Sequence, residues 1–170
     1  AASPLATPSG RIEIFSPALH ALGKPADIPA VPKYIQEWES PFGPEARSFP
    51  LQAVGHHSLA RVHSTLEGVG WLDEAFPQRL FINGLDAAAR GLANGDLARV
   101  FNERGETRLP CRITPRIMPG VVAIPQGAWW TPDDRGVDRR GSINVLTSER
   151  WTPLAFGNAQ HTIMVEVRKA

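Results

Sequence analysis

Residues 97–114, LARVFNERGETRLPCRIT, are two runs of alternating apolar and polar side chains separated by Asn102, Glu103, Arg104 and Gly105. Period-two alternation assigns apolar and polar side chains to opposite faces of an extended chain. A short polar break between two such runs predicts a hairpin, with Gly105 supplying a positive φ at the turn. One hairpin cannot bury its own apolar face, so it needs further strands. LQAVG (51–55) reads as a buried strand, FIN (81–83) as a brief one, GVVAIPQG (120–127) as another, and HTIMVEVRK (161–169) as a last strand with Ile163, Val165 and Val167 on one face. Helical signals are sparse. GWLDEAF (70–76) is a connector with helical character, and GLDAAARGLANGD (84–96) predicts a turn or two with Asp86 as N-cap and Gly91 in the left-handed position past the end. Many short strands around so little helix predict a mainly β fold, a closed or nearly closed barrel.

The first 48 residues differ in kind. Many of the chain's 16 prolines fall there, in TPSG, SPALHALGKPADIPAVPKY and the start of SPFGPEARSFP. Proline fixes φ and removes a donor, so this part reads as an arm of extended and turning chain, with one short strand predicted at RIEIF (11–15). Such an arm seldom folds alone; it lies across a neighbour or belongs to the middle of a longer chain. The expected division is an arm over 1–48 and a barrel over 49–170. Residues 131–142, TPDDRGVDRRGS, are polar and unpatterned and read as a surface loop.

Bulk properties exclude some functions. The net charge is +1, with no sustained run of Lys and Arg, so nucleic acid is not an expected partner. A single cysteine, Cys111, rules out an internal disulfide or an iron–sulfur cluster held by cysteines of this chain alone, and within RLPCRIT it reads as a small buried hydrophobe. No apolar run is long enough to insert directly into a membrane, and AASPLATPSG lacks the features of a signal peptide.

The densest chemistry is GHHSLARVHST (55–65), with three histidines, an arginine and three hydroxyl side chains in eleven positions. Zinc is disfavoured, because His56, His57 and His63 have no Cys, Asp or Glu at ligand spacing, and adjacent histidines in extended chain face opposite ways. Two readings stay open: the imidazoles cap loop carbonyls, or they hold the polar edges of a ligand. The same choice between turn chemistry and ligand contact applies to Asn83, Asn144 and Asn158, whereas Asp86, Asn94 and Asp96 read as structural. Trp130 reads as a packing residue and Trp129 is left open.

In order, Asn83, Asp86, Asn94-Gly95-Asp96, Arg104-Gly105, Pro119-Gly120, Gln126-Gly127, Asn144, Gly157-Asn158 and Gln160-His161 form a series that resembles the C-terminal molybdopterin-dinucleotide-binding domain of the dimethyl sulfoxide reductase family. The likeness is nearest to the catalytic subunits of its membrane-associated, three-subunit members. TPSGRIEIFS (7–16) is similar to the threonine-proline-serine-glycine-lysine-isoleucine-glutamate segment upstream of that domain, so the likeness covers nearly the whole chain. Departures occur at Ser142, often a glycine followed by cysteine in the family, and at Arg150-Trp151-Thr152, where small residues and proline are usual.

The resemblance implies a six-stranded double-psi β-barrel with short helices. It implies a cofactor of molybdenum held by two pterin guanine dinucleotides, clamped here by His57, Arg61, His63, Ser64, Asn83, Gln126, Asn144, Asn158, Gln160 and His161. Arg61 is expected to fork onto a phosphate, with Ser64 and Thr65 donating to phosphate oxygens and His63 to the pterin or a phosphate. The molybdenum ligand and iron–sulfur centres are expected in other parts of the parent, so the piece is a cofactor clamp in an oxygen-atom-transferring oxidoreductase of anaerobic respiration, without turnover of its own. Expected partners are the other domains of the parent subunit, an iron–sulfur subunit and a membrane anchor, in the periplasm or at a membrane. A free-standing double-psi barrel, catalytic or recognising a protein or substrate, is the alternative; against the catalytic form, no self-processing glycine-serine site of the decarboxylase type is present.

Overall fold

The computed structural model describes residues 4–159 and 161–170. They form two compact units, one of residues up to 36 with 151–157, the other of 37–150 with 158–170.

The first unit carries helix α1 (Pro17–Ala21), capped by the Ser16 hydroxyl, which accepts from Leu19 N–H at 3.3 Å. The strand expected at RIEIF is not formed, and Ile12 and Ile14 are 85% and 75% exposed. Local bonds take its place: the Thr7 hydroxyl donates to Arg11 C=O at 2.6 Å, and Glu13 Oε1 accepts from Ser9 N–H at 2.9 Å. Alternation without a neighbouring strand leaves the backbone free to accept such side-chain competition.

The second unit is the barrel. Its strands are β1 (Leu51–His56), β2 (Leu80–Ile82), β3 (Leu97–Phe101), β4 (Glu106–Ile113), β5 (Val121–Pro125) and β6 (Ile163–Lys169), closed in the order β1-β5-β2-β4-β3-β6. The pairs β1–β5 and β2–β4 are parallel, and the other four are antiparallel. Closure removes the exposed edges a half-finished sheet would present. The mainly β barrel expected from the strand pattern is the fold found.

Alternation decides the core. Leu51, Ala53, Ala98, Val100, Leu109, Cys111, Ile163, Val165 and Val167 all point inward and are buried. Each buried Leu, Ile or Val contributes roughly 1.5–3 kcal/mol. β5 is covered on both faces, from Val122 through Pro125. Cys111 lies in this core with its thiol 3.1 Å from Ala93 C=O, and burial raises its pKa.

Two helices join strands: α2 (Gly70–Ala75) and α3 (Gly84–Ala88). The N-cap of α3 is Asn83 and not Asp86; Asp86 instead accepts from Gly120 N–H at 2.8 Å. The hairpin after β3 also differs from expectation. Gly105 has no positive φ; its lack of a Cβ matters because such an atom would stand 2.7 Å from Val145 C=O.

Segment 37–48 belongs with the barrel unit. Glu39 accepts from Met164 N–H at 3.0 Å and from the Arg104 guanidinium at 2.9 Å. The loop 131–142 is more than surface chain, because Asp138 is fully buried within it. The Asp138 carboxylate accepts from the Thr107 hydroxyl at 2.6 Å, Thr131 N–H at 2.8 Å and Ser142 N–H at 2.7 Å, riveting the loop to β4.

Candidate cofactor site

Parallel strands β1 and β5 end side by side, His56 opposite Pro125. Beyond them the chain turns outward, and adjacent residues of β1's extended end face opposite ways. The His56 ring packs edge-on against Phe81 at 5.4 Å, while the His57 ring meets His63 at 5.1 Å. Burial first, and then the neighbouring His57, hold the His56 imidazole below its ordinary pKa. Among the described residues no three His, Cys, Asp or Glu side chains are grouped to hold a metal ion.

The loop after β1 makes a tight turn from Val62 to Thr65, closed by Thr65 N–H donating to Val62 C=O at 3.0 Å. His63 sits in this turn with φ 54°, and Leu66 follows with φ 72°. Left-handed backbone at non-glycine residues costs energy and recurs where a loop must present a side chain. Against this turn lies Gly127, φ 94°, where a Cβ would overlap the His63 carbonyl. Gln126 Nε2 is 3.5 Å from His63 Nδ1. Its backbone N–H donates to His56 C=O at 2.8 Å, so Gln126 is fixed to the end of β1.

A third segment completes the wall. The 3-10 turn Ile143–Leu146 buries Ile143 and Leu146 and leaves Asn144 exposed. Ser64, Gly127, Ala128, Trp129, Trp130, Ser142, Asn144 and Val145 line a cleft of about 480 Å³. Asn144 and Val145 also wall a second cleft of about 720 Å³ with Arg104, Thr147, Ser148, Glu149 and Arg150.

Beneath the loop is a buried charge network. Arg61 is 8% exposed; its guanidinium pairs with Glu67, donates to Gln78 Oε1 at 2.5 Å and to Gln126 C=O at 3.3 Å. Arg140 stands 2.9 Å from the other Glu67 oxygen, a charge contact outside hydrogen-bond geometry, and donates to Asp73 at 3.0 Å. Burial opposes the charge of Arg140, but Asp73 and Glu67 outweigh it and its pKa is raised.

The sequence-predicted residues therefore separate. His63 meets both His57 and Gln126, with Ser64 and Asn144 on the adjoining cleft. Arg61 does not present a fork to a phosphate: its terminal nitrogens are engaged internally, and its Nε is buried with no hydrogen-bond partner among the described residues. Asn83 lies elsewhere. Ile82 pairs with Val122 near the start of β5, whereas Gln126 follows its end, roughly 13 Å of strand away. Both ends of the Asn83 amide are used, donating to Ile117 C=O at 2.6 Å and accepting from Leu85 N–H at 2.9 Å. Asn158 and His161 are exposed, and the backbone oxygen of His161 accepts from Gln52 at 3.0 Å; no contact described for either reaches the His63 group. Gln160 lies outside the described residues. Trp130, expected to pack, is 61% exposed, as is Trp129 at 57%. Glu67, Gln78, Asp138 and Arg140 were not singled out by the sequence, since ties such as Arg61 to Gln78, 17 positions on, and Arg140 to Asp73, 67 positions back, have no spacing signature.

Comparison with known proteins adds to this geometry. The model of the molydopterin dinucleotide binding domain matches residues 51–164. The dimethyl sulfoxide reductase DmsA of Escherichia coli is 47% identical over 174 residues, which covers 99% of this chain and 21% of that protein. The dimethyl sulfoxide/trimethylamine N-oxide reductase of Cereibacter sphaeroides is 39% identical, over 98% of this chain and 21% of its own length. The chain thus spans about a fifth of these relatives. In structure, the acetylene hydratase of Pelobacter acetylenicus superposes with a TM-score of 0.78 at 21% identity, over 98% of this chain and 24% of that one, which shows a shared fold. The barrel, the loops at the ends of β1 and β5 and these matches together establish that the chain belongs to the molybdopterin dinucleotide-binding domain family.

Proposed function

We propose that this barrel clamps the pterin guanine dinucleotides of a molybdenum oxidoreductase, through His57, His63, Ser64, Gln126 and Asn144, with Asn158, Gln160 and His161, which precede β6 in the sequence, as further candidate contacts. A dinucleotide offers diphosphates, ribose hydroxyls and amide-like ring edges, so it needs neutral donors and acceptors that become satisfied when water leaves. The residues present fit that requirement. The single observation that carries the reading is that three separate loops bring the Ser64 and Ser142 hydroxyls and the Asn144 amide to one cleft, with His63 and its partner Gln126 next in the chain to lining residues Ser64 and Gly127, while the nearby arginine, Arg61, is spent internally.

Gly127 suits the same purpose, since a position without a Cβ lets backbone approach backbone and leaves the cleft floor open. Trp129 and Trp130 supply exposed aromatic faces beside it. When bound, the cofactor supplies oxygen-atom transfer and two-electron chemistry at its metal; the residues of this chain bind, orient and exclude water.

For the whole parent protein we propose reduction of an S- or N-oxide, supported by the names of the relatives above. The other domains of its catalytic subunit, an iron–sulfur subunit and a membrane anchor are its proposed partners, in the periplasm or at a membrane. Among the described residues no helix is long and apolar enough to cross a membrane.

The test is His63→Ala in the full parent enzyme, with molybdenum and pterin content measured after purification. Both should fall. Full loading with wild-type turnover would take His63 out of the site.

A further inference from the structure

We propose that Gln78 is a positioning residue for the cofactor site, tying together the three loops that carry its ligands; this rests on the reading of the site given above. Gln78 precedes β2 and is partly buried. Its Oε1 accepts from Arg61 at 2.5 Å, and its Nε2 donates to Pro125 C=O at 2.7 Å and to Gly141 C=O at 3.0 Å.

Those three partners stand on three different segments. Arg61 lies two residues before His63, Pro125 one before Gln126, and Gly141 three before Asn144. Among the described residues no strand pairing joins the turn Val62–Thr65 to the segment 141–146, and the Gln78 amide reaches the chain beside both. One primary amide, with one acceptor and two donor hydrogens, is chemically able to make all three. A carboxylate of the same shape could accept from Arg61 but could donate to neither carbonyl.

Gly141 shows how closely the amide is seated. It has φ 78°, and a Cβ there would lie 3.0 Å from Gln78 Cγ and 2.7 Å from Leu109 Cδ1. A larger residue at 141 would require the Leu109 or Gln78 side chain to shift. Arg61 is in turn paired with the buried carboxylate of Glu67.

The experiment compares Gln78→Glu, Gln78→Met and His63→Ala in the full parent enzyme. The rate of cofactor release is read from the fluorescence of oxidised pterin, and the metal centre from its visible and electron paramagnetic spectra. Gln78→Glu, which loses both bonds donated by Nε2, is expected to release pterin about tenfold faster than wild type or more, and to shift the spectrum. Release should slow again as acidification protonates the introduced carboxyl and restores one donor. A merely structural role would lower the Tm and leave both the spectrum of folded holoenzyme and the pH profile of release unchanged. Gln78→Met keeps the length without polar atoms, and decides the matter by the same readouts should the first variant not accumulate. Wild-type release and spectra in the Gln78 variant that accumulates, alongside cofactor loss in His63→Ala, would overturn the role of Gln78 and leave the site standing. Unchanged cofactor in His63→Ala would instead overturn the reading of the site itself.

Discussion

Gly127 lies directly on the peptide of His63, so close that a Cβ on Gly127 would overlap the His63 carbonyl. Two loops that follow different strands are thereby held in register, and the His63 ring comes within reach of the Gln126 amide. Gly127→Ala combines a left-handed φ with contact against backbone that cannot swing aside. It should cost about 3 kcal/mol or more. Urea unfolding of the chain measures that cost, and pterin retention by the parent enzyme should drop with it. An unchanged unfolding midpoint would mean that the two loops do not meet in this way.

Asn83 gives the contrasting case. It is the N-cap of α3 and a donor to Ile117, and its amide is engaged in local structure through both its oxygen and its nitrogen. Asn83→Ala should destabilise by about 1 kcal/mol, in the usual range for a lost cap, with molybdenum and pterin content unaltered. Cofactor loss at an unchanged unfolding midpoint would return Asn83 to the site.

Asp138 predicts a purely structural loss. Removing its carboxylate by Asp138→Ala leaves the Thr107 hydroxyl and the backbone N–H groups of Thr131 and Ser142 without their acceptor. The two buried orphans, at Thr107 and Ser142, cost about 1–3 kcal/mol each, so a total of roughly 2 kcal/mol or more is expected from denaturant titration. Asp138→Asn, which keeps one oxygen, should lose less. Equal losses in the two variants would show that the remaining oxygen does not serve these donors.

His56 predicts a pH dependence. Burial and His57 hold its pKa below the ordinary 6.5, so over the interval beneath 6.5 the unfolded chain binds more protons than the folded one. Its contribution to stability is complete above 6.5 and is lost as pH falls through the folded-state pKa. His56→Phe removes this titration. Between about pH 7 and about pH 5 the variant's Tm should decline less steeply than that of wild type. Parallel declines would place the titrating group elsewhere.

The strands were legible because a barrel interior is built from period-two alternation, and Leu51, Val100, Leu109, Ile163 and Val165 obey it. RIEIF shows the limit of the same rule: its alternation is as clean, yet Ile12 and Ile14 stay exposed for want of a partner strand. Residue chemistry likewise marked His57, His63 and Ser64 as a group, since the requirement for neutral polar contacts can be met by a short local segment. It misassigned Arg61, because a guanidinium reads the same whether a phosphate or a buried glutamate awaits it.

By itself the sequence determined which segments alternate, which of them turn and which loop is rich in imidazole and hydroxyl groups, all properties of neighbours along the chain. Only the tertiary structure decided that Gln78 bridges three loops, that Asp138 is buried, and that Asn83 sits at the far end of β5 from Gln126. The reason is physical: partners 17 to 65 positions apart are chosen by strand register and by the need to satisfy every buried donor and charge, conditions that exist only once the barrel has closed.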